Sequence, residues 1–453
     1  MEKKKFDLIF TVICLIALFF VVFCINIPNL NSKAKIIVFT MFFALVLWIF
    51  KPIPYGITGL MSLSLMYFFK VDTFSNIFSG FSSTGWFFFF GVLILGYAVL
   101  KTDISGRIAL VVIKIAKNKI IFAFFLPFLL IFQALIIPSA TARTMFLSPI
   151  FFKMIKKSGF KKRDSFSRFV MLNLGMLNPI SSSAYLSGGA STIIAGEVMN
   201  NYGIPINWLL WLKYLWLPIT LVIIFSSYQL FFLYNYKSIN TLPLSVEMIL
   251  PKIEKKYCFQ EKCLIVVIIF VIVLWIIGSY LNISAAIPAI LGIIFLYFPG
   301  INLLVINDLK KINWDLLIFI GVSISLANLI ISSGAGKWLA EYIFDYAYFL
   351  SNTRQAFFLI IFLLLSLVRQ IFPNLTTYNA CVLPAVLSAM SYLNEELLPM
   401  AIITILAGIV SFFPIQSISS LLLFENNYYT ISDTIITGFT ILVSVFIVII
   451  FFL

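Results

Sequence analysis

The chain has 453 residues, 62% of them apolar and only 11% charged, with a mean hydropathy of +1.10. A soluble multidomain protein of this length needs more surface charge, so the composition describes a polytopic helical membrane protein. The formal charge of +14 lies in short loops between apolar runs and not on a basic domain, which argues against a nucleic-acid partner.

Apolar runs measured against the ~20 helical residues needed per crossing predict eleven transmembrane helices. They lie at 6–27, 34–50, 53–70, 84–100, 169–199, 207–235, 263–281, 283–299, 314–332, 397–424 and 431–453. The first follows Glu2-Lys3-Lys4-Lys5 and is too long for a signal-peptide core, so it reads as a retained span with a cytoplasmic N-terminus. Two further stretches, 120–152 and 356–393, are too long for one crossing and too short for two. Arg107, Lys114, Lys117 and Lys119 precede the first stretch, and Lys153, Lys156, Lys157, Lys161, Lys162, Arg163 and Arg168 follow it. Both ends then face the cytoplasm, and 120–152 reads as a re-entrant hairpin. From Thr141 to Phe152 a helix rises ~18 Å, which places the polar break near mid-membrane. With this topology most Lys and Arg are cytoplasmic, the Lys252, Lys255, Lys256 and Lys262 loop included, and the C-terminus is external.

The two hairpins share one plan. Pro138 aligns with Pro373, Ser139 with Asn374, Thr141 with Thr376, Arg143 with Tyr378 and Pro149 with Pro384. The helices before them match at Gly91 with Gly321, Gly106 with Gly336 and Arg107 with Lys337; those after them match at Thr192 with Ser420 and Glu197 with Glu425. An odd number of crossings separates the copies, so the second is inverted, an arrangement that points to a secondary transporter. Its hairpin then opens outward, flanked by Glu341, Asp345, Glu395 and Glu396 against Lys337 and Arg354. The chain divides into an N-terminal helix at 1–33, a first repeat at 34–245 and a second at 246–453.

Each hairpin arm that follows a tip begins with free N–H groups and a positive dipole end, an anion site at low dielectric. Ser139, Ala140, Thr141 and Thr144 stand at one tip; Asn374, Leu375, Thr376, Thr377 and Tyr378 stand at the other. Arg143, at mid-depth, can hold a carboxylate through two donors, or can pair structurally with backbone carbonyls or Glu197. Arg369 is placed shallower, where it can snorkel. Tyr185–Thr192, with Gly189 and Ser191, and Ser411–Ser420, with Pro414, Ser417 and Ser419, read as unwound midpoints whose carbonyls can coordinate a cation or substrate; for the first, a Gly/Ser packing interface explains the pattern nearly as well. The chain contains no His. Cys14, Cys24, Cys258, Cys263 and Cys381 form no zinc set or disulfide framework, so no cofactor, metal centre or enzyme activity is expected.

At these residues the sequence resembles the divalent anion/sodium symporter family of di- and tricarboxylate transporters, over nearly its whole length. The Pro-Ser-Ala-Thr-Ala-Arg-Thr run at 138–144, ending in Ser148-Pro149, is similar to the citrate and oxoglutarate/malate exchanger branch, where basic side chains take the place of sodium. The resemblance implies two inverted repeats, a homodimer, an elevator motion, a small carboxylate held between the tips and residence in a bacterial or archaeal plasma membrane. It would place sodium, if any, near Ser139, Gly189, Thr376 and Ser417. The tips read Ser139-Ala140-Thr141 and Asn374-Leu375-Thr376 where the family carries Ser-Asn-Thr. Ile418-Ser419-Ser420 replaces its Pro-Pro-Asn, and Tyr378 replaces the exchangers' histidine. Three readings stay open: a dicarboxylate exchanger, a sodium- or proton-coupled carboxylate or sulfate symporter with Glu197 and Glu425 as proton carriers, and a non-transporting membrane enzyme or scaffold.

Overall fold

The structure is a computed structural model that describes residues 31–115, 119–235, 257–334, 353–393 and 396–452, with isolated positions between 9 and 20. The first span, 6–27, lies largely outside the described residues, as do Lys117, Lys252, Lys255, Lys256, Gly336, Lys337, Glu341, Asp345 and Glu395. Among the described residues the chain is helical with no strand.

In chain order, α1 (Ser32–Phe50) and α2 (Tyr55–Phe68) precede α3 (Thr84–Leu100) and α4 (Ile104–Ile115). The first hairpin is α5 (Lys119–Ile136) and α6 (Ala140–Lys157). α7 runs from Ser165–Leu172 through a π turn, Asn173–Leu177, to Asn178–Ser181, and α8 is Ala190–Asn201. α9 comprises Trp208–Trp211, a π turn at Leu212–Trp216 and Leu217–Asn235. Then follow α10 (Phe259–Tyr280), α11 (Ala286–Tyr297) and α12 (Trp314–Ser333). The second hairpin is α13 (Arg354–Arg369) and α14 (Leu375–Tyr392); α15 (Leu397–Gly408), α16 (Ile418–Glu425) and α17 (Ile431–Phe452) complete the chain.

Five described helices are long and apolar enough to cross a membrane: Ser32–Phe50, Trp208–Tyr234, Phe259–Tyr280, Trp314–Ser333 and Ile431–Phe452. The crossing expected at 283–299 shortens to the 12 residues of α11, a rise of ~18 Å. α6 runs past the expected apolar arm: its 18 residues rise ~27 Å and carry Lys153, Lys156 and Lys157 beyond the apolar segment. α4 was not anticipated: its apolar run is short and interrupted by Arg107 and Lys114, a pattern the 20-residue ruler passes over.

Among the described residues, 84–201 and 314–425 each contain, in this order, a long helix, a hairpin with a proline at its break and a helix interrupted midway, with α4 an additional helix in the first. α2 packs along α12, α3 along α11, and α10 along α11; elsewhere α9 packs against α17, α5 and α7, while α13 and α14 pack on α15. The two groups meet where α8 and α14 lie against α3 and α12. Polar pairs join helix ends that the alternation of crossings puts on one face. Lys101 bonds Asp308 at 2.8 Å, Arg107 bonds Glu261 at 3.0 Å and Arg168 bonds Asp433 at 3.2 Å, all at ends assigned to the lysine-rich face. At the opposite ends, the Asn31 amide bonds the Ser333 carbonyl and the Asn207 amide the Ser279 carbonyl.

Burial alone would raise the pKa of Asp308. The Lys101 ammonium, the Val305 N–H and Lys311 outweigh it and hold the carboxyl well below the usual carboxylate range. A depressed folded-state value adds stability above the unfolded pKa of about 3.9, and that stability disappears as pH falls through the folded value. Asp308→Asn is therefore expected to lower the thermal unfolding midpoint of the detergent-solubilised protein at pH 7, with the difference from the parent narrowing below about pH 4.

Candidate functional site

Proline removes a backbone donor and ends the helix before it, so each hairpin breaks where Pro138 and Pro373 stand. The arm after each break starts with a side-chain cap: Ser139 Oγ accepts from the Ala142 N–H at 3.2 Å, and Asn374 Oδ1 accepts from the Thr377 N–H at 2.9 Å. Of the tip residues, Ser139 is exposed, and Ala140, Thr141, Asn374, Leu375 and Thr376 are half-buried. These six keep polar groups or backbone available to a ligand. Thr377 and Tyr378 are fully buried. The Tyr378 ring packs edge-on against Phe372, with centroids 5.5 Å apart, so it serves packing at the tip.

Arg143 is fully buried. Its Nε donates to Asn178 Oδ1 at 2.8 Å, and its two terminal nitrogens reach the Ile137 carbonyl, the Asn178 carbonyl at 2.9 Å, Ser181 Oγ at 3.2 Å and Ser182 Oγ at 2.8 Å. One guanidinium thus joins the carbonyl before Pro138 to the C-terminal end of α7. The structural pairing with Glu197 does not occur: Glu197 accepts from Thr84 Oγ1 at 3.3 Å. The pairing with backbone carbonyls does.

Arg369 repeats this in the second half, which corrects its shallow placement. It is 2% exposed; Nε donates to the Gly408 carbonyl at 2.7 Å and Nη1 to the Phe372 carbonyl at 2.8 Å. These are the C-terminal end of α15 and the residue before Pro373. Each arginine therefore ties its tip to the first half of its own interrupted helix, although Arg143 follows its tip and Arg369 precedes it. Among the described residues neither has a carboxylate partner.

The interruptions sit slightly earlier than expected. The first covers 182–189, so Ser191 lies in the opening turn of α8; the second covers 409–417, so Ser419 lies in α16. Gly189 and Ser191 are buried, as are Pro414 and Ser419, while Ser417 is half-buried. Gly189 faces the Pro138 carbonyl, which fixes the first break against the first tip. At the second break Gln416 Oε1 accepts from the N–H groups of Phe412 and Phe413 at 2.9 and 3.0 Å, and its amide donates to Gln370 Oε1 at 3.1 Å. Asn178 and Gln370 are not singled out by the sequence pattern, and Gln416 enters it only as part of the Ser411–Ser420 break, although an amide inside an apolar run is the available signal. Asn379 Nδ2 donates to the Ser191 carbonyl at 3.1 Å, joining the second hairpin to the first interrupted helix. Glu425 is exposed at the end of α16, unlike the partly buried Glu197, so the aligned pair does not share surroundings.

The geometry defines a polytopic α-helical membrane protein with two proline-broken hairpins, each clamped to an interrupted helix by a buried cation. The chain matches the sodium:sulfate symporter transmembrane region over residues 6–453, and it belongs to that family. Its relatives include a protein named only as a membrane protein from Cupriavidus necator, 23% identical over 82% of this chain and 76% of the relative. The chloroplastic dicarboxylate transporter 1 of Spinacia oleracea is 25% identical over 64% of this chain and 52% of its own. A sodium-dependent dicarboxylate transporter of Staphylococcus saprophyticus is 25% identical over 69% and 65%. The chain thus spans about half of the plant relative and just under two thirds of the staphylococcal one.

Proposed function

We propose that the protein is a secondary transporter that exchanges small dicarboxylates, such as succinate, malate or oxoglutarate, or citrate, across a plasma membrane, with the substrate held between the two hairpin tips. The names of the plant and staphylococcal relatives support the carboxylate class. The observation that carries exchange is the pair of buried guanidiniums that have no carboxylate partner among the described residues. Carbonyls at half-helix C-termini carry negative dipole ends and are where a transporter of this construction would bind sodium. Here Arg143 and Arg369 already donate to the carbonyls of Ile137, Asn178, Phe372 and Gly408, which supports a tethered cation in place of sodium at these breaks. A tethered cation cannot dissociate into a gradient.

Two uncompensated positive charges in a low-dielectric body are costly to carry across a membrane. A divalent anion at Ser139, Thr141, Asn374 and Thr376, close to both arginines in sequence, would offset them. The empty carrier would then cross slowly and the loaded carrier fast, which is the condition for obligatory exchange. In this reading the hairpins and interrupted helices move as one body past α1–α3 and α10–α12, in inverted repeats and as a homodimer, as the resemblance implies. The tips lie toward the lysine-rich ends of the static helices: Pro138 packs on Gly96 near the end of α3, and Tyr55 at the start of α2 lies beside the Asn374 side chain. That corresponds to a cytoplasm-facing state.

Counterflow tests this. Proteoliposomes loaded with unlabelled dicarboxylate and diluted into labelled dicarboxylate, without any ion gradient, are expected to accumulate label transiently at the same rate in sodium and in potassium. Uptake that requires an inward sodium or proton gradient, and needs no internal dicarboxylate, would establish the symport reading instead.

A further inference from the structure

Glu197 forms a contact that the anion site does not use. It lies on α8, in the interrupted helix, yet its partners are on α3. Thr84 Oγ1 donates to Oε2 at 3.3 Å, and the Gly85 backbone lies against the same carboxylate. Both residues belong to the first turn of a 17-residue helix, where the positive dipole end favours an anion. Gly85 makes the approach possible, because a Cβ there would stand 2.9 Å from Oε2 and 3.2 Å from the carboxyl carbon of Glu197. Eleven residues further along α3, Gly96 receives the ring of Pro138, whose Cδ would lie 2.6 Å from a Cβ. Eleven residues are three turns plus about 20°, so the two glycines share one face of α3, ~17 Å apart.

A cavity of about 350 Å³ opens beside the contact, lined by Thr84, Gly85, Glu197, Asn200, Asn207 and Ser284 among others. Among its lining residues Glu197 is the only charged or titratable group. Asn200 and Asn207 are engaged elsewhere, with the Ile206 backbone and with Ser279 and Leu210. Close packing is therefore incomplete on the cavity side of this end of α8, where the Glu197 contact reaches across to α3.

We propose that Glu197 is a positioning residue: its carboxylate, seated on the N-terminus of α3, catches the hairpin and interrupted-helix body in the state seen here. The catch is broken and remade in every transport cycle. The inference rests on the transporter reading for that motion, but its readout is a distance and not transport.

Asn201, one turn beyond Glu197, donates to Asn328 Oδ1 on α12 at 2.6 Å, and this pair reports the state. In a background with the five native cysteines replaced, Asn201→Cys with Asn328→Cys is expected to cross-link readily under mild oxidant. Adding Glu197→Gln, which keeps the shape and removes the charge, is expected to slow cross-linking several-fold. Gly85→Ala, which places a methyl 2.9 Å from Oε2, is expected to do the same, and Glu197→Asp is expected to restore part of the rate. Dicarboxylate-induced thermal stabilisation, measured on each variant, should persist in all of them and shows that they are folded. Cross-linking at the parental rate in both Glu197→Gln and Gly85→Ala overturns the catch. Loss of exchange in Glu197→Gln with parental cross-linking also overturns it, because Glu197 would then act on a proton or the substrate. Failure of the parent to exchange dicarboxylate, with cross-linking still sensitive to Glu197, removes the transport reading and leaves the contact standing.

Discussion

Arg143→Ala and Arg369→Ala are each expected to abolish dicarboxylate exchange in proteoliposomes, and the lysine variants are expected to rescue neither. Truncating one partner of a buried charged hydrogen-bonded set costs about 2–5 kcal/mol, and here that cost falls on the bonds that fix each tip, and with it the anion site, to its interrupted helix. Lysine keeps the charge but has one nitrogen on a flexible stem, and it cannot span acceptors that lie on two separate chain segments. For Arg143 those acceptors are Ile137 on one side and Asn178, Ser181 and Ser182 on the other; for Arg369 they are Phe372 and Gly408. Each orphaned buried acceptor adds about 1–3 kcal/mol of destabilisation, so the variants should also unfold at lower temperature. The measurement is counterflow paired with dicarboxylate-induced thermal stabilisation on the same preparation. Full exchange by either alanine variant would remove that arginine from the proposed mechanism.

Gly188→Ala is expected to disable the protein, whereas Gly189→Ala is expected to be nearly neutral. A Cβ at Gly188 would stand 1.9 Å from the Ser182 carbonyl oxygen and 2.8 Å from its carbon. Both are backbone atoms that cannot swing aside, and the Ser182 hydroxyl is held by Arg143. Overpacking of this kind costs about 3 kcal/mol or more, and here the strain falls on the first anion half-site. At Gly189 the backbone is extended, with φ 171°, a conformation open to any residue, and the nearest atom to an added Cβ is the Pro138 carbonyl oxygen at 3.4 Å. Unfolding midpoints and counterflow on the two purified variants check the contrast; equal behaviour would mean that the 182–189 segment is not rigidly set.

The parts of this architecture that were readable from sequence are those encoded locally. Pro138 and Pro373 removed donors where the breaks occur, and flanking charge assigned the ends to faces that the polar pairs Lys101–Asp308 and Arg168–Asp433 respect. What escaped depends on acceptors distant in sequence. Arg369 looked shallow because hydropathy registers position along a run, while its depth is set by the Gly408 carbonyl on another helix. The breaks were displaced by a few residues because Ser191, Ser419 and Ser420, poor mid-helix residues by propensity, are held in helix by packing, and the Ser420 hydroxyl also meets Tyr429 at 3.0 Å. Glu197 and Glu425 aligned by spacing, yet only Glu197 meets a helix N-terminus. Tyr378 was aligned as a ligand-facing residue, and its ring instead fills the space beside Phe372 and Gly408.

In the proposed mechanism two fixed arginines stand in for sodium around a divalent anion. The most direct test is the thermal unfolding of the purified protein in succinate, malate, oxoglutarate, citrate and sulfate, each with sodium and with potassium as the sole cation. Stabilisation by at least one dicarboxylate, equal in the two cations and lost in Arg143→Ala and Arg369→Ala, is the predicted result. Stabilisation that appears only in sodium, or that survives in both arginine variants, would contradict it.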